Sequence, residues 1–189
     1  MYCVKTRSII EESIKKSRFI GVIIPCEDEQ AVSMNLKQLY QDYADASHIV
    51  YAYRIKTENG LVYRFNDAGE PTGTAGKPIY QHLEGKDLVN VLIAVIRYFG
   101  GVKLGAGGLT RAYGNAARLV IEAADIDVYT EWVKARLTLA YSQVQGLEYA
   151  LKKLDGHIVE KAFCEQVHVL VQLPVDQLKT LLDIMPGHG

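Results

Sequence analysis

The sequence is poor in the residues that would tie it to a disulfide scaffold, a metal centre or a membrane. Three cysteines, Cys3, Cys26 and Cys164, lie far apart among 189 residues, with no CxxC pair. A scattered, odd set excludes a disulfide framework and a zinc site and predicts a reducing compartment. The longest apolar run, Val91–Ile96, falls far short of the roughly 20 residues that a membrane-spanning helix needs. Lys5, Arg7, Lys15 and Lys16 are followed by no apolar segment of signal-peptide type, so no secretory leader is expected. The expectation is a cytoplasmic protein without membrane contact. HExxH, a nucleophile elbow and a Cys–His pair are missing too, which leaves hydrolytic chemistry little support. Neither a metal nor a cofactor is expected.

Negative charge is missing more selectively. No Asp or Glu occurs between Leu88 and Ile121, whereas Arg97, Lys103, Arg111 and Arg118 all fall inside that stretch. The formal net charge is −1 and the pI about 6.5, so the chain as a whole is not basic. A local positive field attracts an anion even on a neutral protein. The plainer alternative is a buried segment whose few charges sit at its ends, and both readings stay open on charge alone.

What is present suffices for a packed fold, with 49% hydrophobic and 23% charged residues. The length exceeds the roughly 100–150 residues of a typical domain and suits one medium and one small domain. Arg18–Cys26 reads as a strand, and Val32, Leu36, Leu39, Tyr40 and Tyr43 follow at helical spacing after Glu27, Asp28 and Glu29. His48–Ile55 and Leu61–Phe65 form a hairpin with Asn59-Gly60 at its tip. Asn66–Pro78 is loop, and a short helix covers Ile79–Leu83. Val91–Ile96 is a central strand, Gly100–Gly108 a second loop, and a helix follows from Leu109 to Ala123. The first domain, 1–130, thus reads β-α-β-β-α-β-α, with helices on one side of a sheet. The second, 131–189, reads β-α-β-β-α from strands at Val133–Tyr141, Ile158–Phe163 and Val167–Leu173. Its helices carry Leu147, Ala150, Leu151 and Leu154, then Val175, Leu178 and Leu182. That is the ferredoxin-like order without its final strand, for which the tail Pro186-Gly187-His188-Gly189 leaves no room. The fold class is α+β.

Two glycine-rich loops carry the chemistry. In the first, Asn66–Pro78, Gly76-Lys77 suggests a P-loop, but Pro71 replaces its first glycine and Pro78 its magnesium-binding hydroxyl residue. In the second, a GxGxxG starting at Gly105 fails at Thr110. Simpler chemistry remains. Glycines let backbone N–H groups approach a ligand, and a helix N-terminus adds about half a positive charge. Each loop precedes a helix and brings cations, so together they suit a phosphate cradle. The competing reading is that the glycines serve tight turns and close packing alone. Aromatics interleave with arginines at Tyr51, Tyr53 and Arg54, at Tyr63, Arg64 and Phe65, and at Arg97, Tyr98 and Phe99. An exposed face of this kind would stack bases, although most such tyrosines belong to a core. Asp67 and Glu70, with His48 or His82 nearby, are candidates for acid–base or metal-binding roles, and turn carboxylates more commonly bond their own backbone.

Arg64–Pro78, Arg97–Gly105 and Gly107–Tyr113 closely resemble the motifs of the IMPACT family, in its bacterial, YigZ-type branch. Lys16-Ser17-Arg18-Phe19 and His48–Tyr53 also match. The resemblance implies a first domain like the second domain of a small-subunit ribosomal protein. It also implies a second domain like the C-terminal region of elongation factor G. Eukaryotic relatives regulate translation initiation through a separate N-terminal domain that has no equivalent here. The reading that follows is a cytoplasmic protein binding RNA or the ribosome, with a role in regulating translation. Arg64, Lys77, Arg97, Lys103 and Arg111 are its expected phosphate contacts, and Gly73, Gly76, Gly105 and Gly107 permit close approach. The alternatives are an enzyme on a small phosphorylated or peptide substrate, with Asp67 and Glu70 as acid–base groups, and a protein-interaction adaptor.

Overall fold

A computed structural model describes residues 1–185. The chain divides into two compact units, the first Met1–Tyr129 and the second starting at Thr130. The first unit is built on a five-stranded antiparallel sheet in the order β2-β3-β6-β4-β5. Its strands are β2 (Ser8–Ile14), β3 (Ser17–Pro25), β4 (His48–Thr57), β5 (Gly60–Asn66) and β6 (Val91–Tyr98). Two short strands, β1 (Tyr2–Val4) and β7 (Ile126–Val128), pair beside it and bring the unit's two ends together.

Three helices cover this sheet, and they lie on both faces rather than on one as the sequence suggested. Alternation decides the division. Phe19, Ile23, Val50, Ala52, Val91, Ile93 and Val95 pack with α2 (Gly76–Gly85) and α3 (Ala106–Glu122). Ile20, Val22, Ile24, Ile49, Tyr53, Leu92, Ala94 and Ile96 pack with Val32 and Leu39 of α1 (Glu29–Asp42). A central strand apolar from Val91 to Ile96 requires cover on both sides, and β6 is buried from Val91 to Arg97. Helix α1 starts where Asp28 accepts the Ala31 amide at 2.7 Å, and Glu29 complements the dipole in its first turn.

The β2–β3 turn supports the second glycine-rich loop. Lys15 and Lys16 both take positive φ, 45° and 67°, as a tight hairpin demands. A Cβ on Gly100 would sit 1.9 Å from the Lys16 carbonyl oxygen, so only glycine lets the loop lie against this turn. Ser17 is buried there, and its Oγ accepts the Gly100 amide at 3.2 Å.

In the second unit, β8 (Trp132–Leu139), β9 (His157–Phe163) and β10 (Val167–Pro174) form an antiparallel sheet in the order β8-β10-β9. The element order is β-α-β-β-α with α4 (Val144–Lys153) and α5 (Leu178–Ile184), and a single 3₁₀ turn leads into each helix. Leu137, Leu139, Val167, Val169, Val171 and Leu173 meet Leu147, Ala150 and Leu151 of α4 and Leu181 of α5. Val175 and Leu182, expected on the inner face of the last helix, are exposed. Val175 lies in the 3₁₀ turn before α5, and the inner face of α5 is set by Leu178 and Leu181, followed by Met185. The tail from Pro186, expected to leave no room for a final strand, lies outside the described residues.

Candidate functional site

The two glycine-rich loops converge on one cleft of about 330 Å³, lined by Glu70 and Pro71 from the first, Lys103, Leu104, Gly105 and Ala106 from the second and the start of α3, and by His48, Arg97, Phe99 and Leu109. Their internal chemistry differs. In the first loop Asp67 turns its carboxylate inward. Oδ2 accepts the Gly73 amide at 2.8 Å, and Oδ1 accepts those of Ala75 at 3.1 Å and Gly76 at 2.8 Å. Asp67 thus supplies the anion that the N-terminus of α2 attracts, and the amides of Gly73 and Gly76 are not offered to a phosphate. Gly76 is glycine for a steric reason, since a Cβ would lie within 2.9 Å of the Asn66 backbone. Gly73 is glycine for its φ of +76°. Asp67 is equally withdrawn from acid–base work.

Glu70, which follows in the same loop, is buried. Its Oε1 accepts from Arg97 Nη1 at 2.6 Å and from the Tyr113 hydroxyl at 2.7 Å. His48 Nε2 stands 3.9 Å from the same oxygen. His48 Nδ1 lies 2.8 Å from the Ala68 carbonyl. A carbonyl only accepts, so Nδ1 carries a proton, and Nε2 faces Glu70. Burial, reinforced by the Glu70 carboxylate, pushes the Tyr113 phenol far above its ordinary value, so it remains a donor. Arg97 is 5% exposed and lies against the rings of Phe19 and Phe99, each 5.5 Å away. Its Nε has no hydrogen-bond partner among the described residues. Arg97 is therefore a buried partner of Glu70 rather than an exposed phosphate contact.

The second loop leaves its donors open. Gly105 takes φ +71° and opens α3, and no side chain caps that 17-residue helix. The first turn offers the amides of Ala106, Gly107 and Gly108, whose acceptors no helix can supply from within. Gly108 is confined by the Leu104 Cβ, 3.0 Å from where its own Cβ would be. Gly107 has no such constraint, because a Cβ there would meet nothing within 4 Å. Glycine in a helix costs up to about 1 kcal/mol against alanine, and packing does not explain Gly107. Lys103 is exposed beside this turn and lines the cleft.

The other expected cations are dispersed. Arg111 is exposed one turn along α3 and lines a separate groove of about 640 Å³ with Lys15, His82 and Arg118. Lys77 is exposed on α2, and Arg64 is exposed on the edge strand β5; neither lines the cleft or this groove. Tyr63 and Phe65 point away from Arg64 and pack on Tyr80, with ring centroids 4.8 and 5.6 Å apart. Arg54 is buried and donates to the carbonyls of Leu83 and Leu88. Among the described residues no group of three or more His, Cys, Asp or Glu is placed to hold a metal.

A family model of the Impact N-terminal domain matches residues 15–121. The chain belongs to the IMPACT family. It is 35% identical over 179 residues to an IMPACT family member of Thermus thermophilus, covering 92% of this chain and 96% of that one. It is 32% identical over 166 residues to the IMPACT family member YigZ of Escherichia coli strain K12, covering 87% and 81%. A crystal structure described as that of a hypothetical protein matches 97% of this chain and 90% of its own, with 29% identity and a TM-score of 0.71. The matched family region contains both loops, His48, Glu70, Arg97 and Tyr113.

Proposed function

We propose that this IMPACT-family chain is a cytoplasmic binding protein of the translation apparatus, with a role in regulating translation. On this reading it contacts RNA through the second loop and the start of α3. The observation that carries the proposal is the uncapped N-terminus of α3, where Gly107 has no packing role. Backbone donors, the helix dipole and Lys103 act on the same space, and Arg111 extends the positive field along α3. The lack of Asp and Glu from Leu88 to Ile121 preserves that field. The translation role rests on family membership and on what eukaryotic relatives do. Of the nine residues expected to bind an anion, this reading retains Lys103, Arg111, Gly105 and Gly107 at the contact, with Arg64 and Lys77 peripheral. Arg97, Gly73 and Gly76 build the scaffold behind it.

A titration of single-stranded RNA against salt tests the proposal. Wild-type affinity should fall steeply with salt. Lys103→Ala and Arg111→Ala should each flatten the log–log slope by about 0.7. Binding that is absent, or indifferent to salt, would remove the RNA reading. Salt-dependent capture of an acidic peptide in place of RNA would favour the protein-interaction alternative.

A further inference from the structure

The cleft between the loops holds more than an anion site requires. Glu70 is 9% exposed, and its two hydrogen bonds, from Arg97 and Tyr113, converge on Oε1. Oε2 has no hydrogen-bond partner among the described residues, yet it is not among the buried orphaned atoms. That oxygen keeps slight solvent access on a side chain that is 5% exposed, and Glu70 lines the cleft. A carboxylate clamped through one oxygen presents the other in a fixed direction as an acceptor. Phosphate alone would be repelled by it, so the ligand must bring hydroxyl or amine donors as well as an anion. The same cleft carries Lys103, Gly105 and Ala106 at the start of α3, and Phe99, whose ring is 49% exposed. An uncapped helix start, an oriented acceptor and a half-exposed aromatic residue within about 330 Å³ match three parts of one small ligand.

Resting on the RNA-binding reading above, we propose that this cleft holds a single ribonucleotide unit. Its 5′-phosphate sits at the first amides of α3 beside Lys103, its ribose hydroxyls donate to Glu70 Oε2, and its base stacks on Phe99. Charge-assisted hydrogen bonds from the hydroxyls give sugar selectivity, and stacking on Phe99 tolerates any base. A free mononucleotide and the 3′-terminal residue of an RNA share this chemistry.

Calorimetric or NMR titration of the full chain with AMP, 2′,3′-dideoxy-AMP, ribose 5-phosphate and inorganic phosphate tests the proposal. AMP should bind about tenfold tighter than the dideoxy analogue, the value of one charge-assisted hydrogen bond. Glu70→Gln should bring that ratio close to one. Phe99→Ala should weaken AMP while leaving ribose 5-phosphate unchanged. Because Glu70→Gln risks the fold, Ala106→Glu supplies a second route. An acidic residue in the first turn favours the helix, and its carboxylate should fill the site and abolish binding of every phosphate ligand. Equal affinity for AMP and its dideoxy analogue, inorganic phosphate binding as tightly as AMP, or no AMP binding at millimolar concentration would each overturn the proposal. Salt-dependent RNA binding in a protein that ignores AMP would sink this inference alone and leave the RNA reading intact. AMP binding without RNA binding would do the reverse. Competition of AMP with an RNA bearing a 3′-diol, but not with its 3′-phosphorylated form, would make the terminal residue the source. Competition with neither would make it a free nucleotide.

Discussion

The two glycine-rich loops look interchangeable as sequence, each a run of glycines with a lysine ahead of a helix, yet they treat the same problem in opposite ways. The first answers the bare amides of its helix internally, with Asp67 accepting from Gly73, Ala75 and Gly76. The second leaves the start of α3 uncapped. A glycine-rich loop before a helix is therefore a possible anion site only when no nearby carboxylate already occupies it. The comparison also separates the two acidic residues of the first loop. Asp67 is saturated by backbone donors, whereas Glu70 is anchored through one oxygen only.

Breaking the scaffold side of this comparison gives the largest effects. Glu70→Ala leaves the buried Arg97 guanidinium with only the Ser17 hydroxyl, 3.5 Å away, and should destabilise the protein by about 3–5 kcal/mol. Denaturant unfolding measures it, and a loss below about 1 kcal/mol would mean that water readily reaches Arg97. Asp67→Ala strips three amides of a charged acceptor and should cost about 3 kcal/mol in the same assay, without altering any ligand contact at α3.

A smaller effect is expected from His82, in the groove along α2 and α3. Burial first, then the Arg118 charge, holds its imidazole below the ordinary 6.5, against the opposing pull of Glu122. A histidine pKa depressed by folding means that the native state favours the neutral ring. Its stability contribution is then full above about pH 6.5 and is lost as pH falls through the lower folded value. The thermal midpoint should therefore drop on acidification below pH 6.5, and His82→Gln should reduce that drop. Equal acid sensitivity in the variant would place the effect elsewhere. Smallest of all for stability, Lys103→Ala should shift it by no more than about 0.5 kcal/mol while weakening RNA binding, since its side chain is exposed.

Strong periodicity made most of the first unit readable. The strand at Val91–Ile96, the Asn59-Gly60 hairpin and the helix through Leu109, Ala112, Tyr113 and Ala116 all stand in the structure. Strand β2 was not legible, because Ser8–Ile14 buries little and carries Glu11 and Glu12 at a sheet edge. Strands β1 and β7 are three residues each and acquire meaning only by pairing across the unit. The two-sided cover of the sheet was implicit in the uniformly apolar β6 and was misassigned to one side. At the site, a glycine-rich helix start beside Lys103 was legible from glycine and charge. The Glu70 cluster was not, because its partners stand 27 and 43 residues away and no local spacing links them. Arg97 was therefore taken for a ligand contact when its burial makes it a support.

On the proposed reading α3 keeps its first turn open for a ligand at some expense of stability. Gly107→Ala tests it most directly, with the thermal midpoint and RNA affinity measured on the same protein. No neighbour lies within 4 Å of the new methyl group, so the fold should gain about 0.5–1 kcal/mol. RNA affinity should fall, because the methyl group stands where the backbone must meet a phosphate. A variant that is more stable and binds RNA as tightly as the wild type would contradict the claim.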